Sequence, residues 1–206
     1  MTELPPRSIE LLGRDDSRLL MVDVQERLLT HIPVADSLVA NCRKLIQAAQ
    51  ILGVPISATE QYPKGLGRTA PALGELLGEL PEKLRFSCAE TLAWPPAAEA
   101  PDGRHKVVVA GIESHVCVLQ TALDLMAIGY RVYVPADAVA SRKKFDWKMA
   151  LERLRLSGAV VTSTESVLFE WCEVAGTPEF KQISALVKDT RTGPEPQGQA
   201  QRTSSY

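Results

Sequence analysis

The chain is poor in the residues that mark several protein classes. Aromatic side chains make up 5% of its 206 residues, and histidine occurs 3 times. Trp94, Trp147 and Trp171 lie too far apart to form a stacking platform for bases. With 23 Lys and Arg against 25 Asp and Glu the net charge is −2, so the basic footprint of a nucleic-acid-binding protein is missing. The four cysteines, Cys42, Cys88, Cys117 and Cys172, include no CxxC pair and no zinc-ligand spacing. No uncharged apolar run reaches the roughly 18 residues of a membrane span. The start, MTELPPRSIE, lacks the apolar stretch of a signal peptide. The expectation is a cytoplasmic protein with free thiols in a reducing compartment, with no nucleic-acid or membrane partner.

What is present suits one globular domain. Hydrophobic residues are 45% and charged residues 23%, enough for one sizeable core. Short apolar runs alternate with helical patterns. Strands are expected over Ser17–Val24, Val54–Ala58, Lys83–Phe86, His105–Gly111, Tyr130–Pro135 and Ala159–Ser163. Helices are expected over Ala35–Leu52, Pro71–Gly78, Ser114–Ile128, Asp146–Leu156, Ser166–Trp171 and Pro178–Lys188. Residues 25–33 read as a loop or short turn. Strands alternating with helices mean βαβ units and a parallel sheet. Residues 1–16 read as an irregular arm and residues 17–188 as the domain. Residues 189–206, rich in Gly, Pro, Gln and Ser, read as a disordered tail.

One stretch organises the rest: VVVAGIESHVCVLQTALDLM, residues 107–126. It reads as a buried strand, a glycine turn at Gly111 and a buried helix with Cys117 in its first turn. Free N–H groups and partial positive charge gather there, which favours a thiolate and can hold an oxyanion. Ligands of parallel sheets bind at the carboxyl ends of the strands. Asp23, Lys83 and Cys117 fall at or near strand ends or edges, and one sheet can bring them together. An acid, an ammonium and a thiol make a nucleophilic set: Asp23 accepts the thiol proton, Lys83 sets the charge, Cys117 attacks a carbonyl carbon. Each has a plainer reading. Asp23 can cap a loop, Lys83 can be a solvated strand start, and a lone cysteine usually packs as a small hydrophobe.

Other residues are weighed the same way. Gln25, Glu60 and Gln61, on loops after strand ends, either face a substrate pocket or hydrogen-bond their own loops. His115, two residues before Cys117, reads as a packing or pocket-lining side chain, because residues two apart on a helix face different ways. His31 and His105 read as surface residues, Cys42 as core, and Asp137 as a partner for backbone N–H groups. Gly65, Gly67 and Ala70 fit GxGxxA, but no strand leads tightly into that turn, so no dinucleotide site is expected.

The segments LLMVDVQ, EKLRFSC and GIESHVCVLQTALDL together resemble the three signature segments of the isochorismatase-like cysteine hydrolase superfamily. ATEQYPKGLGRT, DAVASR and GTPEFKQISALVK are most similar to its isochorismatase-domain-containing subgroup. The resemblance implies a three-layer α/β/α sandwich with a six-stranded parallel sheet. It implies the triad Asp23, Lys83 and Cys117. It also implies a cis peptide between Ile112 and Glu113 that turns the Glu113 N–H toward an oxyanion, with the Cys117 N–H beside it. Homo-oligomers, dimer or larger, are usual in the superfamily. Nicotinamidases of this superfamily carry an Asp/His/His metal set after the second strand. Here that region reads TEQYPKGLG, so no metal and no cofactor are expected and nicotinamide is disfavoured. The isochorismatases themselves cleave a vinyl ether without a cysteine nucleophile, so Cys117 points to a small amide or related carbonyl substrate and a thioester. The alternatives are vinyl-ether hydrolysis and a catalytically idle oligomeric scaffold.

Overall fold

Two strands carry apolar side chains on both faces: β1, Ser17–Val22, and β4, Lys106–Ile112, the latter buried along its whole length. Such strands belong at the centre of a sheet covered on both sides. A computed structural model, describing residues 7–189, places them there. The strand order is β3-β2-β1-β4-β5-β7, with β6 beside β4, and every ladder is parallel. The remaining strands are β2 (Ile56–Gln61), β3 (Glu82–Lys83), β5 (Arg131–Pro135), β6 (Val139–Ala140) and β7 (Val160–Thr162). Among the described residues the sheet therefore has seven strands rather than the six expected from sequence. The added one, β6, is two residues long and pairs only with Gly111 and Ile112, too short to show a period.

Helices cover both faces. On one lie α2 (Ala35–Leu52), α8 (Thr164–Cys172) and α9 (Pro178–Lys188), sharing a core with Leu19, Met21, Val108 and Ala110. On the other, α6 (Leu119–Ala127) and α7 (Lys144–Leu156) share a core with Leu20, Val22, Val107 and Val109. The alternation along each central strand thus feeds two separate cores. Short helices α1 (Glu26–Leu29), α3 (Pro63–Leu66), α4 (Pro71–Leu77) and α5 (Ala89–Leu92) sit in the connections. The ranges of α2 and α9 match expectation, and Gly53 ends α2 in the left-handed conformation at φ +71°.

The expected helix over Ser114–Ile128 differs at its start. Residues Ser114–Val118 form a π turn, and α6 follows at Leu119. Residues 7–16 carry no helix or strand, and Leu12 among them is fully buried. The first six residues of the arm and the tail from residue 190 lie outside the described residues. Among the described residues no helix is long and apolar enough to cross a membrane.

Candidate active site

Parallel register fixes which strand ends meet. Val22 pairs with Thr59 of β2 and with Gly111 of β4, and Gln61 pairs with Lys83 of β3. Asp23, Thr59, Gln61, Lys83 and Glu113 therefore share the carboxyl edge of the sheet. The approach of β4 to β1 is close. A Cβ on Gly111 would overlap the Val22 carbonyl, and its φ is +122°, so glycine is required there. Asp23 leaves β1 with φ +52°, a left-handed conformation that Asp tolerates better than most residues. The Ile112–Glu113 peptide is cis.

The three expected site residues come together. Lys83 Nζ donates to Asp23 Oδ2 at 2.7 Å, with the two side chains 1% and 0% exposed. The Cys117 thiol is close enough to the same carboxylate for the two to shift each other's ionisation. Lys83 is not a solvated strand start. Its ammonium also meets Gln61 Oε1 at 2.7 Å and the carbonyls of Phe86 and Arg85 at 2.9 and 3.2 Å. Burial pushes the Asp23 carboxyl above its ordinary range, partly offset by Lys83. Cys117 does not fit the expectation of an easily ionised thiol. Burial and then the Asp23 charge push it up, and Lys83 only partly counters them. Both groups therefore hold their protons more tightly than they would in water.

The expected pocket residues have fixed partners. Gln25 Nε2 donates to the carbonyls of Gln61 and Gly67, and its Oε1 accepts from Gln61 N–H at 2.7 Å. Glu60 accepts from Thr69 N–H at 2.6 Å, from Thr69 Oγ1 at 2.9 Å and from Arg68 at 2.7 Å. These two side chains tie down the loop between β2 and α4. Gln61 Oε1 orients Lys83, while its Nε2 donates to the Leu84 carbonyl. His115 Nδ1 lies 2.9 Å from Ser141 Oγ. The Glu113 carboxylate is turned to Arg142, accepting from its N–H and Nε at 3.0 and 3.1 Å.

Two neighbours escaped the sequence reading. Thr59 Oγ1 donates to Asp23 Oδ1 at 2.8 Å, and Cys88 Sγ lies 3.2 Å from the same hydroxyl. Thr59 had a usable signal: strand alternation puts it on the side of Gln61, two residues on. Cys88 had none, since it stands in an irregular connection. Among the described residues no three His, Cys, Asp or Glu side chains gather as a metal site would need.

A parallel α/β/α sandwich is the architecture this chain shares with isochorismatase-like hydrolases. The chain belongs to that family: the isochorismatase domain matches residues 17–166. It is 39% identical over 186 residues to the secreted isochorismatase effector Isc1 of Phytophthora sojae, covering 86% of this chain and 89% of that protein. It is 38% identical over 183 residues to isochorismatase domain-containing protein 2 of Xenopus laevis, covering 89% of each. The MAR1 ribonuclease of Caenorhabditis elegans superposes with a TM-score of 0.78 at 35% identity, covering 92% of this chain and 100% of that one.

Proposed function

We propose that the chain is a cysteine hydrolase that cleaves a small amide or related carbonyl compound through a thioester. The observation that carries this reading is the buried Lys83–Asp23 pair at 2.7 Å, with the Cys117 thiol near enough to be influenced by both charges. The Cys117 proton passes to Asp23 as Sγ attacks the carbonyl carbon. The N–H groups of Glu113 and Cys117 hold the oxyanion, each such donor contributing about 3–4 kcal/mol in the transition state. Asp23 then gives its proton to the leaving nitrogen as the C–N bond breaks. Water attacks the thioester and yields its proton to Asp23, the C–S bond breaks to release the acid, and Asp23 returns the proton to Cys117 Sγ. Lys83, donating to Asp23 Oδ2, holds the carboxyl group in place between the transfers.

Iodoacetamide is the direct test. Because Asp23 takes its proton as the sulfur attacks, Cys117 is expected to alkylate about tenfold or more faster than Cys42, Cys88 or Cys172, and Asp23→Asn to abolish the difference. Equal labelling of the four thiols would sink the reading. A screen of small amides against wild type and Cys117→Ala then finds the substrate, and turnover that survives Cys117→Ala would favour vinyl-ether chemistry instead.

One observation favours a second reading, RNA cleavage: the C. elegans relative is described as a ribonuclease. His115 is the histidine nearest Cys117 in sequence, and its Nδ1 is engaged by Ser141. Incubating the protein and its Cys117→Ala variant with single-stranded RNA separates the two readings. We also propose self-association, because Tyr62, Leu84 and Phe86 are 50%, 76% and 51% exposed beside the site. Light scattering on an eluting column peak gives the mass.

A further inference from the structure

Thr59 and Cys88 have no part in the chemistry above, yet both are buried, Thr59 against Asp23 and Cys88 against Thr59. Their hydrogen-bond directions can be settled by counting protons. An ionised carboxylate only accepts, so the single Thr59 proton goes to Asp23 Oδ1, 2.8 Å away. The Thr59 oxygen is then free to accept, and the contact of 3.2 Å to Cys88 Sγ is an S–H donating to it. Cys88 is itself anchored, its N–H donating to Thr121 Oγ1 at 2.9 Å. Thr121 stands on α6, which continues directly from the π turn that presents the Cys117 thiol, so the same run of chain also fixes Cys88. Asp23 thus has two supports on opposite oxygens. Lys83 on Oδ2 is a charged donor that cannot accept. Thr59 on Oδ1 is a hydroxyl that can turn.

We propose that Thr59, backed by the Cys88 thiol, is the positioning residue that lets Asp23 alternate between carboxylate and acid as it takes and returns the Cys117 proton. In the resting state the chain of donors runs Cys88 S–H to Thr59 O–H to Asp23 Oδ1. When Asp23 receives the proton its need for a donor falls. The Thr59 hydroxyl then turns toward the Cys88 sulfur, and the S–H swings away to leave a lone pair for it. No bond to carbon forms and no electrons move. Only one proton changes owner, from Cys117 Sγ to Asp23, and two hydroxyl-type rotors reorient. The proposal rests on the hydrolase reading of the same site.

The titratable groups facing Asp23 are Lys83 from β3, Cys117 from the π turn and Cys88 ahead of α5. The test is the pH dependence of Cys117 alkylation by iodoacetamide, followed on the Cys117 peptide by mass spectrometry. The rate rises as the Asp23–Cys117 unit loses its first proton. Thr59→Val keeps the shape and removes a donor that favours the carboxylate. Its acid limb is expected to move up by about one pH unit, a roughly tenfold slower rate on that limb. Thr59→Ser restores the hydroxyl and is expected to follow wild type. A purely structural role for Thr59 would lower the melting temperature and leave the limb in place. A Thr59→Val curve that coincides with wild type, or a Thr59→Ser curve that shifts as far as Thr59→Val, overturns the proposal. If Thr59→Val does not fold, Cys88→Ala decides: a smaller shift in the same direction supports the proposal, and coincidence with wild type overturns it. Failure of the underlying reading looks different. There, wild-type Cys117 labels no faster than the other thiols, or Asp23→Asn leaves its rate unchanged. Selective, Asp23-dependent labelling that ignores Thr59 and Cys88 removes this inference alone.

Discussion

Three consecutive residues at the end of β2 have different roles because strand side chains alternate. Thr59 and Gln61 point to one side and meet Asp23 and Lys83. Glu60 points to the other and binds Thr69 and Arg68. Burial alone would raise the Glu60 carboxyl, but the hydrogen bonds from Arg68 and Thr69 outweigh it and hold it below its ordinary 4.5. The folded chain therefore binds this proton less tightly than the unfolded chain. The associated stability is complete above pH 4.5 and is lost as pH falls through the folded value. Glu60→Gln should cost about 1 kcal/mol at pH 7, and its gap from wild type should close in acid. Urea unfolding of both proteins across that range measures the gap, and one that stays constant would mean the carboxylate charge is not its source. The sequence held Gln25, Glu60 and Gln61 between pocket and loop, and it had no means of choosing. Which side a polar side chain faces depends on register, and register is set by partner strands far away in sequence.

At the scale of elements, what could be read depended on length. The 18-residue helix α2 carries its apolar stripe through five turns and ends at a left-handed glycine, so its range was legible. The long apolar strand β4 was equally plain. Strand β3 is two residues and β6 two, and neither can display alternation. The π turn before α6 was also hidden, since one extra residue per turn leaves the apolar spacing of Val116 to Leu125 readable as an ordinary helix. The turn carries Cys117, and burial together with the Asp23 charge made an expected low-pKa thiol a raised one. The strand pair beneath depends on one residue. Gly111→Ala would drive a methyl group into the Val22 carbonyl from a backbone at φ +122°. Separation of β1 from β4 would follow, at the point where Asp23 and Glu113 leave the sheet. The expected cost is about 3 kcal/mol or more, measured as a lower urea midpoint, together with loss of selective Cys117 labelling. A variant as stable as wild type would show that the two strands can part without harm.

For the molecule as a whole, the question is whether two cores make one folding unit. Leu19, Met21, Val108 and Ala110 enter one core, while Leu20, Val22, Val107 and Val109 enter the other from the same two strands. Neither core can dissolve without stripping one face of β1 and β4, and a bare parallel sheet face in water is not a stable end state. Side chains also cross the layers: Trp171 of α8, fully buried in the first core, donates to Ser17 Oγ of β1 at 2.7 Å. The tryptophans report on the two sides separately. Trp171 sits in one core, and Trp94 and Trp147 pack against the other. A variant keeping only Trp171 and a variant keeping only Trp94 and Trp147, the others changed to Phe, should unfold in urea with fluorescence midpoints that each match that variant's own circular dichroism. Fluorescence that changes before or after the circular dichroism in either variant would show that one layer of helices peels from the sheet while the other holds. In that event the strand ends carrying Asp23, Lys83 and Glu113 could lose their alignment well short of global unfolding.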